Sequence, residues 1–193
     1  MNKNRLEAFS DGVLAIIITI MVLELKAPKG GTFHDIKPLV PMFLSYVQSF
    51  LFVGVYWNNH HHLFHTVKRI NSRILLANMN LLFWLSLVPF ATGWVGESNF
   101  APTAVAIYSS LLFINAMAWT LLQWAIEKQG DWSEGIKKTM RRQSQKGIIS
   151  ASLYASAIPL AYISPFISEF LLVIVALMWL IPNRNLEKFQ DQQ

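Results

Sequence analysis

The sequence predicts an all-α membrane protein with six transmembrane helices, and three observations carry that prediction. Hydrophobic residues make up 53% of the 193 and charged residues only 14%, where a soluble domain carries about 25% charged. Long apolar runs recur along the chain, parted by short polar or Pro/Gly-bearing stretches. The 7 Trp and 13 Phe gather near the ends of those runs, as aromatic belts do at a bilayer interface. A chain of this length fits one domain, residues 1–193.

The first segment covers residues 5–26. Between Asp11 and Glu24 lie twelve residues without a charge, nearly all aliphatic, interrupted by Thr19. As a helix this core rises roughly 18 Å, against a hydrocarbon thickness of roughly 30 Å. It crosses only if its flanking turns enter too, carrying Arg5, Glu7, Asp11 and Glu24 toward the membrane faces. Lipid penalises such charges, so Asp11 is expected to face protein or water. With Asp11 inside the apolar run and no cleavage pattern before Lys26, the segment reads as part of the mature chain rather than a signal peptide.

After a Pro/Gly loop, the second segment covers residues 37–67, with Pro38 and Pro41 in its first turns and no formal charge before Lys68. The third covers residues 74–95 and carries Pro89, a site for a kink. The fourth covers residues 103–127. A hydrophilic stretch follows to Lys146, with six Lys or Arg and a short surface helix expected within it. The fifth and sixth segments cover residues 147–164 and 166–182. Ser164 and Pro165 favour a break there, and a single continuous helix would draw Glu169 into the membrane.

Basic residues set the topology. The N-terminus, the turn between segments two and three, the hydrophilic stretch and the C-terminal tail hold 13 of the 16 Lys and Arg; Lys26, Lys29 and Lys37 lie on the other side. With six spans this bias places both termini in the cytoplasm, though it does not by itself choose between five spans and six. The net charge of +5 then faces an anionic leaflet. Nucleic acid is excluded as a partner because the chain lacks the polar surface a soluble binder needs. There is no cysteine and no phosphate-loop, dinucleotide or serine-nucleophile motif. The reading is therefore not an enzyme and requires no organic cofactor.

On a helix, Gly12, Ile16, Thr19 and Leu23 form one stripe, bordered by Ile20. Such a stripe serves either to pack helices or to line a pore, where aliphatic side chains gate by dewetting and a hydroxyl replaces part of an ion's water shell. Periodicity leaves both open. Glu24 is either an ion-pair partner of Lys26 or Lys29, or an acidic group at a pore mouth. His60, His61 and His62 with His65 invite a metal, but no carboxylate lies nearby and no HExxH motif is present, so no fixed metal is assigned. Asn78, Asn80 and Asn115 are polar groups in apolar helices, suited to helix-to-helix hydrogen bonds.

The block Arg5-x-x-x-Phe9-Ser10-Asp11-Gly12-Val13-x-Ala15-Ile16, followed by Thr19 and the Leu-Glu-Leu at 23–25, resembles the first helix of the lysosomal transmembrane potassium channels and their bacterial relatives. Trp57, His60, His61 and Phe64 strengthen the resemblance in the second segment, and Asn80, Phe83, Pro89 and Phe90 in the third. The second half of the chain matches only in the order and length of its apolar runs. The resemblance implies a bacterial inner (plasma) membrane protein of one six-helix repeat, a homotetramer conducting K+ and other monovalent cations. It also implies a central pore lined by the first helix, without a TVGYG-type filter. Carried over residue by residue, Ile16 and Leu23 become hydrophobic gate positions, Thr19 a hydroxyl layer and Ile20 their neighbour. Arg5, Ser10 and Asp11 become a structural network with Trp57, His60, His61 and Asn80, which fixes the rotation of the first helix. Ile at position 16, where some bacterial members have Leu, branches nearer the backbone and alters pore width. A secondary or proton-coupled ion transporter is the rival reading.

Overall fold

The computed structural model describes residues 2–67, 69–130 and 132–180, and every regular element among them is helical. Helix α1 is Lys3–Leu23, α2 is the single turn Phe33–Ile36, and a 3-10 turn Lys37–Leu39 leads into α3, Val40–Thr66. Then come α4, Ser72–Leu85, α5, Val88–Glu97, and α6, Pro102–Glu127. Helix α7 is Glu134–Ile163 and α8 is Pro165–Leu180. Among the described residues, five stretches are long and apolar enough to cross a membrane: Lys3–Leu23, Phe33–Thr66, Ser72–Glu97, Pro102–Glu127 and Glu134–Ile163. Pro165–Leu180 is also apolar, and 16 of its residues lie among those described.

Local chemistry accounts for most boundaries. Asn2 opens α1 by accepting from the Asn4 backbone N–H, and Asn71 opens α4 by accepting from that of Ile74 at 2.9 Å. Thr32 and Asp35 close a reciprocal box that starts α2: both the Thr32 hydroxyl and its backbone N–H donate to Asp35 Oδ2. The expected start at residue 37 is therefore the second turn of a helical entry.

The third segment is broken rather than bent. Pro89 has no N–H to donate, so α4 stops at Leu85 and α5 restarts at Val88. Ser86 eases the break by donating its side chain to the Phe83 carbonyl at 2.7 Å. The largest departure lies in the hydrophilic stretch. The expected fifth helix, 147–164, is the C-terminal part of one helix that already begins at Glu134. Gln123 of α6 explains the extension: its amide donates to the Met140 carbonyl and to Ser144 Oγ, tying the polar turns of α7 to α6. The α7–α8 break falls at Ser164 as expected. The expected end of the last helix at residue 182, and the basic residues of the tail, lie outside the described residues.

The core runs through α4, α5 and α6, whose buried aliphatics include Leu81, Leu85, Val95, Leu112, Leu122 and Ile126. At Gly96 the backbones of α5 and α3 approach so closely that a Cβ would lie 2.6 Å from Met42 Cα. Glycine is required there for lack of space. Helix α1 packs on one side of this core, against α3, α4 and α5.

Candidate functional site

Leu6, Ser10, Leu14, Ile17 and Met21 recur at helical spacing and are buried, so one face of α1 is sealed against the protomer. The opposite face is uncovered. Leu23 is 77% exposed, Ile16 57% and Ile20 43%, and Gly12 and Thr19 are exposed beside them. A Cβ built at Gly12 meets nothing within 4 Å. The stripe picked out by periodicity is thus the face of α1 that the rest of the chain leaves bare.

Thr19 sits in the middle of that face. Its hydroxyl donates back to its own helix, toward the carbonyls of Ile16 at 2.9 Å and Ala15 at 3.1 Å. A hydroxyl has one hydrogen, so what Thr19 presents outward is oxygen lone pairs. The arrangement offers an acceptor to a cation, not a donor to an anion.

Polar contacts fasten the sealed face. His60 of α3 is buried with its ring stacked on Phe64, centroids 4.3 Å apart, and its Nε2 lies 2.7 Å from Asn78 Oδ1. Asn78 of α4 donates through Nδ2 to Ser10 Oγ at 2.9 Å, and Ser10 donates on to the Leu6 carbonyl. Since Asn78 Oδ1 only accepts, His60 Nε2 carries the hydrogen in this chain. One residue along α1, Asp11 is half-buried and accepts from Trp57 Nε1 at 3.0 Å. His61 stacks on Trp57 and meets His65 edge-on. The structure therefore brings together Ser10, Asp11, Trp57 and His60, with His61 against Trp57.

Asn80 is not part of this set. The asparagine that bridges the helices is Asn78, and Asn80 is half-buried with no hydrogen bond among the described residues. The two lie about 200° apart around a helix, so only one of them can face α1 and α3. Arg5 is exposed and makes no hydrogen bond or ion pair among the described residues. Among the described residues no three His, Cys, Asp or Glu side chains gather to hold a metal.

At the other end of α1, Glu24 is half-buried over Gly93 of α5. Of the readings open for Glu24, an ion pair with Lys26 or Lys29 is not formed among the described residues, and Lys26 instead pairs with Glu97 at 3.0 Å. That Glu97 carboxylate holds the Lys26 ammonium above its ordinary range. A second polar group went unnoticed in the sequence. Ser49 Oγ of α3 lies 2.6 Å from Thr92 Oγ1 of α5 and 2.7 Å from the Tyr108 hydroxyl of α6, all three residues buried. Buried Glu169 of α8 stands near Gln48, the residue before Ser49. The available signal was hydroxyls scattered in apolar helices, which marks interhelical bonding without saying which residues meet.

Residues 5–89 match the family described as endosomal/lysosomal potassium channel TMEM175. A potassium channel of Chryseobacterium sp. (strain P1-3) is 50% identical over 188 residues, 97% of each chain. The human endosomal/lysosomal proton channel TMEM175 is 34% identical over 103 residues, 47% of this chain and 20% of that protein. The crystal structure of a lysosomal potassium-selective TMEM175 homolog from Chamaesiphon minutus superposes with a TM-score of 0.82, at 28% identity, covering 95% of this chain and 97% of that one. A match at 50% identity along nearly the whole of both chains leaves one assignment: this chain belongs to the TMEM175 family, whose members are ion channels and not enzymes.

Proposed function

We propose that the chain is a potassium-preferring cation channel with a central pore lined by α1. Four copies assemble around the axis, each contributing six membrane-crossing helices, with both termini in the cytoplasm of a bacterial inner membrane. Gly12, Ile16, Thr19, Ile20 and Leu23 face the water path. Ile16 and Leu23 close it as hydrophobic constrictions, and Thr19 supplies a ring of oxygen acceptors between them. Glu24 stands at the mouth. No cofactor takes part, and K+ passes in transit.

One observation carries this reading. Helix α1 is anchored on one face by Leu14, Ile17, Met21 and the Ser10 and Asp11 hydrogen bonds, yet shows a bare aliphatic ridge on the other. A rigidly held helix with an apolar ridge and one outward hydroxyl oxygen suits a shared passage. The relatives' names, potassium channel and potassium-selective channel, support K+ as the ion. An isolated protomer would leave that ridge to lipid, which needs no threonine acceptor in its middle.

The test is flux from proteoliposomes under K+, Na+ and Cs+ gradients, with wild type beside Ile16→Asn and Thr19→Ala. Ile16→Asn is expected to raise leak by wetting the constriction. Thr19→Ala is expected to lower K+ over Na+ discrimination while flux persists. Unchanged leak and selectivity in both would remove α1 from the pore. A carrier would instead saturate at low turnover and give no unitary current.

A further inference from the structure

We propose that the cytoplasmic part of α7 holds an anionic phospholipid, with its phosphate on Arg141 and Arg142 and its acyl chains along Ile148 and Ile149. The proposal goes beyond ion conduction and rests on the proposed membrane placement of α7, with its N-terminal end at the cytoplasmic face.

Three features of one helix face support it. Lys138, Arg141, Arg142 and Gln145 are exposed and recur at three- and four-residue spacing, while Thr139, Met140, Gln143 and Gly147 of the other face are buried. Within one further turn the same exposed face becomes apolar at Ile148, 66% exposed, and Ile149. A face that turns from basic to aliphatic along a single helix has the profile of a headgroup above its chains.

The height is set independently. The bonds from Gln123 to Met140 and Ser144 place the Arg141–Arg142 turn level with the end of α6, where Trp124 is exposed and Lys128 lies over its ring at 4.8 Å. One turn deeper, Lys146 donates to the Met178 carbonyl beside Trp179. Tryptophans with lysines at their rims mark a membrane interface, so the two arginines sit at the level of lipid phosphates.

Among the described residues their charge is not taken up by an ion pair. Glu134 is taken by Lys137 at 3.0 Å, and none of the ion pairs among the described residues involves Lys138, Arg141 or Arg142. Arginine binds phosphate through two parallel N–H donors. A topological signal alone needs the number of basic residues, not their gathering on one face in register with a tryptophan.

Lipid retention by the purified, intact channel tests this without reference to conduction. Native mass spectrometry is run with phosphatidylglycerol or phosphatidylcholine added, on wild type, R141Q/R142Q, and K29Q/K37Q as an equal loss of charge elsewhere. Wild type and K29Q/K37Q should retain phosphatidylglycerol in preference to phosphatidylcholine. R141Q/R142Q should lose that preference by about fivefold for each arginine. Should that variant not assemble, Lys138→Gln alone should weaken it by about fivefold. Undiminished preference without the arginines, or equal displacement of the lipid by inorganic phosphate, overturns the site.

Discussion

Trp57 and Asp11 are joined across α3 and α1 by an indole N–H donating to Oδ1 at 3.0 Å, while neighbouring Ser10 is held by Asn78 from α4. Two consecutive residues of one helix thus reach two different helices. One such bond would act as a hinge; two, about 100° apart around the helix, fix its rotation. That rotation decides which side chains lie on the bare ridge.

Trp57→Phe keeps the ring and removes the donor. The Asp11 carboxylate, half-buried, then loses its protein partner. A hydrogen bond to a charged group is worth about 1.5–3 kcal/mol when buried, and partial exposure brings the expected loss to the lower end. The thermal midpoint of the purified channel should fall and basal K+ leak should rise as α1 loosens. Unaltered values for both would show the bond to be idle.

Asn78→Ala is expected to cost more than Asn80→Ala. Asn78 serves both His60 and Ser10 in a dry seat, and its removal leaves two polar groups there with one partner fewer. Unsatisfied buried groups cost about 1–3 kcal/mol each, against about 0.5 kcal/mol or less for a substitution with no such partner. Chemical denaturation of the two variants side by side measures the difference, and equal losses would return Asn80 to the network.

Comparing these two asparagines shows what the sequence makes legible. Hydrophobic runs located the helices because a membrane demands length and apolarity, properties of a stretch rather than of contacts. The 3.6-residue period of α1 groups Gly12, Ile16, Thr19 and Leu23 on one face but leaves open whether that face packs or lies bare, and the gate roles of Ile16 and Leu23 come only with the family resemblance. Neither property tells which of two asparagines two residues apart turns inward, since that depends on the partner helices. The same holds for Ser49, Thr92 and Tyr108, which meet from three helices. The early start of α7 was hidden for a related reason. Its first turns read as a short surface helix apart from the span, and only Gln123 of another helix, holding Met140 and Ser144, shows them to be continuous with it.

Gly96→Ala should destabilise the fold by about 1–3 kcal/mol, the usual cost of forcing atoms into a filled contact. The obstacle is the Met42 backbone, together with Ser45 Oγ at 2.7 Å, and backbone cannot swing aside. Gly12→Ala supplies the contrast, because nothing within the protomer opposes it. Monomer stability measured in denaturing detergent should fall for the first and hold for the second. A comparable fall at Gly12 would mean that the ridge is filled within the protomer.

Glu24→Gln separates an acidic pore mouth from a structural carboxylate. Lys26 is engaged by Glu97, so Glu24 is not consumed by an ion pair with it. In a tetramer four such carboxylates would raise the local cation concentration, an effect carried by charge over distance and therefore screened by salt. At an ionic strength of about 0.01 M the Debye length is near 30 Å, and at about 1 M near 3 Å. Unitary K+ conductance of the variant should thus fall below wild type in dilute electrolyte and converge with it in concentrated electrolyte. A deficit that persists at high salt would instead point to a packing role against Gly93, where the carboxylate rests. No deficit at either concentration would place Glu24 away from the ion path.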